Sequence, residues 1–121
     1  MTQQQAVDYV DHTDVIQIAT ERPRGGEAVT PIWGVVIDGV PYIRSGYGTR
    51  SRWYSGAQRA GRVALVDGGT RYPAAIENID DDATIHEVDR AYETKYAGSG
   101  ESLRRMVRPD ASRLTMRLKP L

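Results

Sequence analysis

Cysteine is absent from the 121-residue chain, and histidine occurs only as His12 and His86. Without cysteine the chain cannot form a disulfide, a thiol nucleophile or a cysteine-rich zinc site. Two histidines are too few for a multi-histidine metal centre within one chain, so we predict no metal site. Neither histidine has a paired base or ligand near it in the sequence, and we assign neither a catalytic role.

Long apolar runs and an excess of one charge are missing as well. The longest apolar run, residues 32–37, is far shorter than the roughly 20 residues that span a bilayer. The first residues lack a basic region followed by an apolar stretch of signal-peptide length, so we expect a cytoplasmic protein without a membrane partner. Sixteen basic and sixteen acidic side chains give a net charge of zero, which argues against binding of nucleic acid through the whole surface.

The composition that remains is that of a folded globular protein. Of the residues, 40% are hydrophobic and 26% are charged. The length is that of one compact domain, so we predict a single domain over residues 1–121, with residues 1–12 as a short N-terminal helix or arm. We therefore look for a single functional site.

Segments rich in β-branched and apolar residues alternate with turn-forming residues over the first two thirds of the chain. Five strands are predicted there: residues 15–20, 29–37, 41–45, 62–66 and 71–79. The first three are expected to form a meander whose second turn is Asp38-Gly39. The last two are expected to form a hairpin.

Helices are predicted where the apolar spacing changes to three and four residues. Ile85, Val88 and Tyr92 follow this spacing, which places them on one helical face that should cover the sheet. Thr84 and Glu87 have the spacing of a capping box at its start. Three further elements are predicted: helices over residues 51–60 and 101–107, and a final strand over residues 114–118. Together the elements indicate a mainly β fold with helices (α+β), one small barrel with helical insertions.

A basic segment lies in the middle of this neutral chain. No acidic residue occurs between Asp38 and Asp67, whereas five arginines do: Arg44, Arg50, Arg52, Arg59 and Arg62. Residues 44–52 combine hydroxyl groups, glycines and guanidinium groups where a predicted strand passes through a loop into a helix. Glycine permits close backbone approach, the first N–H groups of a helix attract anions, and the arginine fork matches phosphate oxygens. The segment predicts a phosphate site, the alternative being an arginine-rich loop that stays solvated.

Basic loops also bind nucleoside triphosphates or nucleic acid. A P-loop that binds nucleoside triphosphates is excluded, because the spacing and the lysine of G-x-x-x-x-G-K-[ST] are missing. A barrel that binds single-stranded nucleic acid remains an alternative, with arginines on the backbone and aromatic rings as stacking surfaces. The rings concerned are Tyr42, Tyr47, Trp53 and Tyr54.

Scattered motifs then carry a resemblance to a known superfamily. They are Thr30-Pro31-Ile32-Trp33, Asp38-Gly39, Tyr42-Ile43-Arg44-Ser45, Trp53-Tyr54 and Arg62-Val63. In order and spacing they resemble the split-barrel flavin and deazaflavin proteins, which include pyridoxamine phosphate oxidase-like proteins and deazaflavin-dependent nitroreductases. The segment Ala91-Tyr92-Glu93-Thr94-Lys95-Tyr96 resembles a helix of a less familiar branch, so that the similarity covers about residues 14–118.

The resemblance implies a six-stranded antiparallel split barrel of the FMN-binding type with two to three short helices. It implies a homodimer that binds FMN or a deazaflavin coenzyme of the F420 type between its subunits and passes hydride to an unknown small organic substrate. A dimer that binds a ligand without catalysis is the alternative. The residues that map to the cofactor site are Ser45, Thr49, Arg50, Ser51 and Arg52 for the phosphate, and Trp53 or Trp33 beside the ring. Tyr47, Tyr54 and Tyr72 are the candidate proton donors.

The chain departs from the superfamily pattern at three places. Gly56 stands where the deazaflavin enzymes usually have asparagine, and Gly61 stands near the position of an expected proline. Residues 22–26 replace the early Gly-Arg-x-Ser-Gly turn. The choice between FMN and a deazaflavin therefore stays open at this stage.

Overall fold

The structure, a computed structural model, describes residues 2–121. Within that range it has seven strands: β1 (Ile16–Glu21), β2 (Glu27–Ile32), β3 (Gly34–Ile37), β4 (Val40–Ile43), β5 (Arg62–Asp67), β6 (Thr70–Asn78) and β7 (Met116–Pro120). It has five α-helices: α1 (Thr2–His12), α2 (Arg52–Ala60), α3 (Asp82–Lys95), α4 (Glu101–Val107) and α5 (Pro109–Ser112). A short 3-10 helix, Gly48–Arg50, precedes α2. No helix in residues 2–121 is both long and apolar enough to cross a membrane.

The strands form one antiparallel sheet in the order β2-β1-β5-β6-β7-β4-β3. Its two edge strands, β2 and β3, follow each other in the chain and are separated only by Trp33. Two residues span about 7 Å at most, so Ile32 at one edge and Gly34 at the other lie close together. The sheet must curl to bring its edges to this point, which gives a barrel that is open along the β2–β3 seam, as predicted for a split barrel.

The predicted number of strands, six, is wrong because the predicted strand 29–37 breaks at Trp33. Its first half pairs with β1 and its second half with β4, at opposite ends of the sheet. One continuous strand cannot reach both partners, so the predicted meander does not form. The predicted turn at Asp38-Gly39 is confirmed: both residues have positive φ, 51° and 77°, as the tight hairpin turn requires.

The prediction of two to three short helices is also wrong, since five are present and α3 has 14 residues. Helix α4 has the predicted bounds, and an additional helix, α5, begins at Pro109, because the first turn of a helix does not need the N–H that proline lacks. Helix α3 begins earlier than the Thr84 capping box predicted. Its N-cap is Asp81, whose carboxylate accepts a hydrogen bond of 2.9 Å from the Thr84 backbone N–H.

The core consists of two apolar clusters on either side of the sheet. The barrel interior is built from strand side chains that alternate along the chain, such as Met116 and Leu118, which are fully buried as predicted. The second cluster fills the space between α3 and the β3–β4 hairpin and contains Val88 and Tyr92, as the predicted helical face required. Each cluster removes large apolar surface from water, which is the main stabilising term of a domain of this size.

Arg44 lies in the interior and joins elements that are far apart in sequence. It is 1% exposed, and its Nε donates to Thr115 Oγ1 at 2.8 Å. Its terminal nitrogens donate to the Asp89 carboxylate, to the Met106 carbonyl at 3.0 Å and to the Ile85 carbonyl at 2.9 Å. Arg44 is therefore a buried structural cation with four hydrogen bonds, although it lies in the basic segment of the sequence.

We expect Arg44→Met to destabilise the protein by about 3–5 kcal/mol, because it leaves the Asp89 carboxylate and two carbonyls without their buried donor. The matched control is Arg62→Met, which removes an exposed ion pair of 3.0 Å with Glu21 and should cost at most about 1 kcal/mol. Urea unfolding followed by circular dichroism measures both. Equal stability of the two variants would contradict the assigned role of Arg44.

Helix α2 packs very closely on β1 at Gly56, one of the departures from the superfamily pattern. A Cβ at Gly56 would lie 2.7 Å from the Glu21 carbonyl oxygen and 3.4 Å from Thr20 Cβ. We expect Gly56→Ala to lower the free energy of unfolding by about 1–3 kcal/mol, because the backbones must separate. Gly69→Ala is the control, since its added Cβ meets no atom within 4 Å. Thermal or urea unfolding measures the difference, and a neutral Gly56→Ala would refute the close approach.

Candidate functional site

A pocket of about 430 Å³ opens next to the β2–β3 seam. We call it the seam pocket. Its walls are the end of β2 with Trp33, the loop after β4, the start of α2 and one side of α4. Its volume is within the range of small-molecule sites, about 300–1,000 Å³.

One wall of the seam pocket is aromatic and rigid. The Trp33 ring stacks on Tyr96 with the ring centroids 4.0 Å apart and the planes at 4°. The Tyr96 hydroxyl donates to the Asp14 carbonyl oxygen at 2.6 Å and accepts a hydrogen bond of 3.2 Å from the Gly34 N–H. Trp53, also in the wall, is buried and packs edge-on against Tyr54. These contacts fix two large rings beside a space that a flat ligand would fill.

A second part of the lining is polar and carries positive charge. It contains Ser51 and Arg52 from the start of α2, and Ser102 and Arg105 from α4. Among the described residues, none that lines the pocket carries a carboxylate. The Arg105 guanidinium stacks on the Tyr47 ring, 4.7 Å from its centroid. Arg44 also lines the pocket, but its donors are engaged in the interior. The other two guanidinium groups and the two serine hydroxyls, without a competing carboxylate, are donors suited to a phosphate.

The structure divides the predicted cofactor residues into three groups. Ser51, Arg52 and Trp53 line the seam pocket. Thr49 and Arg50 line a neighbouring cleft. Ser45 is buried beneath the loop and hydrogen-bonds within it, as described next.

Ser45 holds the loop in shape. Its side chain is 0% exposed, and its hydroxyl donates to the Gly48 carbonyl at 2.6 Å. The Ser51 Oγ lies 3.0 Å from the Ser45 Oγ. Ser51 is the N-cap residue of α2, but its side chain does not cap the helix. The Gly48 N–H returns a hydrogen bond of 3.2 Å to the Ser45 carbonyl. These bonds fix the direction in which the loop presents Ser51 to the pocket.

Several predicted aromatic roles change with the structure. Tyr47 lines the seam pocket and is 68% exposed, whereas Tyr54 and Tyr72 are absent from its lining. Partial burial raises the pKa of the Tyr54 phenol. The sequence analysis missed Arg105, Ser102 and Met106, because α4 follows the basic segment by some fifty residues. The only sequence signal for them was the pair of arginines inside the predicted helix 101–107.

Tyr96, which supports Trp33, makes the pocket wall sensitive to alkaline pH. Burial raises the pKa of Tyr96 to about 12 from its ordinary value of 10.0. The folded state therefore keeps the phenol proton more tightly than the unfolded state. The stability that this contributes is complete below about pH 10 and is lost as the pH rises towards 12.

We expect Tyr96→Phe to reduce the loss of unfolding free energy between about pH 10 and pH 12. The neighbouring charges of Lys95 and Asp14 are present in both proteins, so the comparison isolates the phenol. Urea unfolding at a series of pH values measures it, and the exposed Tyr47→Phe variant serves as control. Identical pH profiles for wild type and Tyr96→Phe would disprove the assignment.

The fold is that of a split barrel with a pocket beside its seam, and solved structures share this fold. The putative pyridoxamine 5'-phosphate oxidase of Listeria innocua is 8% identical, with a TM-score of 0.67 over 99% of this chain and 94% of that chain. The heme storage protein HutZ of Vibrio cholerae is 12% identical, with a TM-score of 0.70 over 97% and 88%. An F420-H2 dependent reductase, FDR-A, is 14% identical, with a TM-score of 0.64 over 88% and 94%. The predicted resemblance is thus confirmed at the level of the fold.

The family is given by the sequence. Residues 6–118 match the family described as "Uncharacterized protein conserved in bacteria (DUF2255)", and the chain belongs to this family. No curated protein matches it.

Proposed function

We propose that the seam pocket binds a phosphorylated flavin-type cofactor, FMN or a deazaflavin of the F420 type, and that the protein is an oxidoreductase acting on a small organic substrate. The observation that carries this proposal is the pairing of a stacked aromatic wall with a carboxylate-free wall of two arginines and two serines in one pocket. A flat ring with a phosphate tail needs these two surfaces side by side. Relatives of the same fold include an F420-H2 dependent reductase, which supports the same reading.

Each wall has a part in the proposal. Arg52 and Arg105 hold the phosphate with their guanidinium forks, with Ser51 and Ser102 as hydroxyl donors. Trp33 packs against one side of the ring and keeps water from it. A bound cofactor of this type supplies hydride transfer at its ring, and the protein supplies orientation and exclusion of water.

Of the three predicted proton donors, Tyr47 lines the pocket, and in this proposal its hydroxyl donates a proton to the substrate. Its hydroxyl lies 3.4 Å from an Arg105 nitrogen, and its ring stacks on the same guanidinium. Ser45 contributes by holding the loop that carries Tyr47.

Heme is a second ligand to compare with a flavin, because HutZ is a heme storage protein with the same fold. Heme iron in proteins takes histidine, cysteinate, tyrosinate or methionine as its axial ligand. The described residues that line the seam pocket include neither histidine nor cysteine, but they include Tyr47 and Met106. The feature that favours a flavin is the arginine and serine lining, which matches its phosphate.

The proposal also includes a homodimer in which a second copy covers the open side of the seam pocket. The exposure of Tyr47, which lines the pocket and is 68% exposed, supports it, as does an exposed apolar side chain on the edge strand β2, Val29, at 55% exposure. Large apolar groups at the rim of a pocket are favourable when a partner buries them. Light scattering of the purified protein measures the oligomeric state, and a monomer at all concentrations would contradict this part.

We expect FMN or a deazaflavin to bind the purified protein saturably, as followed by the fluorescence of the ring. Arg52→Ala should weaken this binding about tenfold or more, because a charge-assisted hydrogen bond contributes about 1.5–3 kcal/mol. Arg59→Ala is the matched control: it lies on the same helix, where its side chain donates to the Glu21 carbonyl at 3.1 Å. Its affinity should equal that of the wild type.

The outcomes separate the alternatives. No saturable signal with either cofactor removes the proposal. Binding that is unaffected in Arg52→Ala means that the phosphate lies elsewhere. Tight binding without reduction of any substrate by the loaded protein favours the alternative of a non-catalytic ligand-binding dimer.

A further inference from the structure

The loop 46–50 also lines a second, basic cleft, which adjoins the seam pocket. This cleft has a volume of about 490 Å³. We call it the arginine cleft, and its charged lining residues are Arg50, Arg105, Arg108, Arg113 and Asp110. Four positive charges thus face one negative charge in a chain whose net charge is zero.

The four arginines come from separate parts of the chain and are left uncompensated. Arg50 belongs to the 3-10 helix and Arg105 to α4, whereas Arg108 and Arg113 flank α5. Within residues 2–121, Arg50, Arg108 and Arg113 make no ion pair, and Asp110 pairs with none of them. Four other arginines, Arg62, Arg71, Arg104 and Arg117, each contact a glutamate. Bringing like charges together costs Coulomb energy that an anion would recover.

The backbone that carries Arg108 and Arg113 is held in place. The Arg108 carbonyl accepts hydrogen bonds from the Ala111 and Ser112 N–H groups at 3.0 and 2.8 Å, and the Arg113 N–H donates to the Pro109 carbonyl at 3.0 Å. The Ser112 hydroxyl donates to the Asp89 carboxylate at 2.9 Å. The segment that carries Arg108 and Arg113 is therefore connected through Ser112 to the buried Arg44–Asp89 pair. Arginines on a fixed backbone lose less entropy when they bind an anion.

We propose that the arginine cleft is a binding site for the diphosphate group of a small ligand. Guanidinium forks bind phosphate oxygens in pairs, and four forks offer more donors than one phosphate accepts. A single-stranded nucleic acid would need several free rings for stacking. The cleft has one ring, Tyr47, which is already stacked on Arg105.

The cleft and the seam pocket share Gly46, Tyr47 and Arg105 but differ in their other basic groups. Arg52 lines only the seam pocket, and Arg50, Arg108 and Arg113 line only the cleft. Because Arg105 is common to both sites, the variants that test them are chosen from the residues that line only one of the two.

The test is calorimetric titration of the full chain with inorganic pyrophosphate at constant ionic strength. We expect saturable binding at one site, weakened about tenfold or more by Arg108→Ala and by Arg113→Ala. Arg104→Ala is the matched control: it removes the same charge from α4, where its partner is the exposed Glu101 at 2.8 Å. Arg52→Ala should also leave pyrophosphate binding unchanged. Circular dichroism verifies that every variant is folded.

Four results would overturn the proposal. They are the absence of saturable binding to the folded wild type, an equal loss of affinity in Arg104→Ala, inorganic phosphate binding as tightly as pyrophosphate, and a single-stranded oligonucleotide that binds more tightly than pyrophosphate and displaces it. The last would favour a nucleic-acid site. Failure of flavin binding in the seam pocket, by contrast, leaves a positive pyrophosphate result intact.

Discussion

The interior guanidinium of Arg44 determines the position of nearly everything that forms the two cavities. It connects the end of β4 to α3 through Asp89, to the end of α4 through the Met106 carbonyl and to the approach of β7 through Thr115. The loop 46–50, which lines both the seam pocket and the arginine cleft, begins two residues after Arg44. A buried cation is tolerated only when its donors are satisfied and its charge is paired. The segments that meet at Arg44 are thus held in one arrangement.

The local elements of the fold could be predicted because their signals are local. Alternation predicted β7, turn residues predicted the β3–β4 hairpin, and Gly61 marked the end of α2, where it has the left-handed conformation with φ of 74°. The break at Trp33 could not be predicted in this way. Residues 29–37 are suited to extended structure throughout, and only the closure of the sheet requires them to serve two edges.

The candidate site shows the same division between local and distant information. Ser51, Arg52 and Trp53 were predicted because a strand, a loop and a helix start follow one another in sequence. Arg105 joins them only through the packing of α4, which the basic segment does not reveal. The burial of Arg44 was also hidden, because its acidic partner lies 45 residues away and its hydroxyl partner 71 residues away. An arginine surrounded by polar residues in the sequence looks like a surface residue until those partners are known.

Trp33 links β2 to β3 across the open seam of the barrel, and it also lines the pocket beside that seam. A molecule bound against the Trp33 ring would therefore also stabilise the approach of the two edge strands, β2 and β3. Because occupancy of the native state alone shifts the folding equilibrium by mass action, the resistance of this barrel to opening is thermodynamically coupled to the concentration of whatever fills its seam.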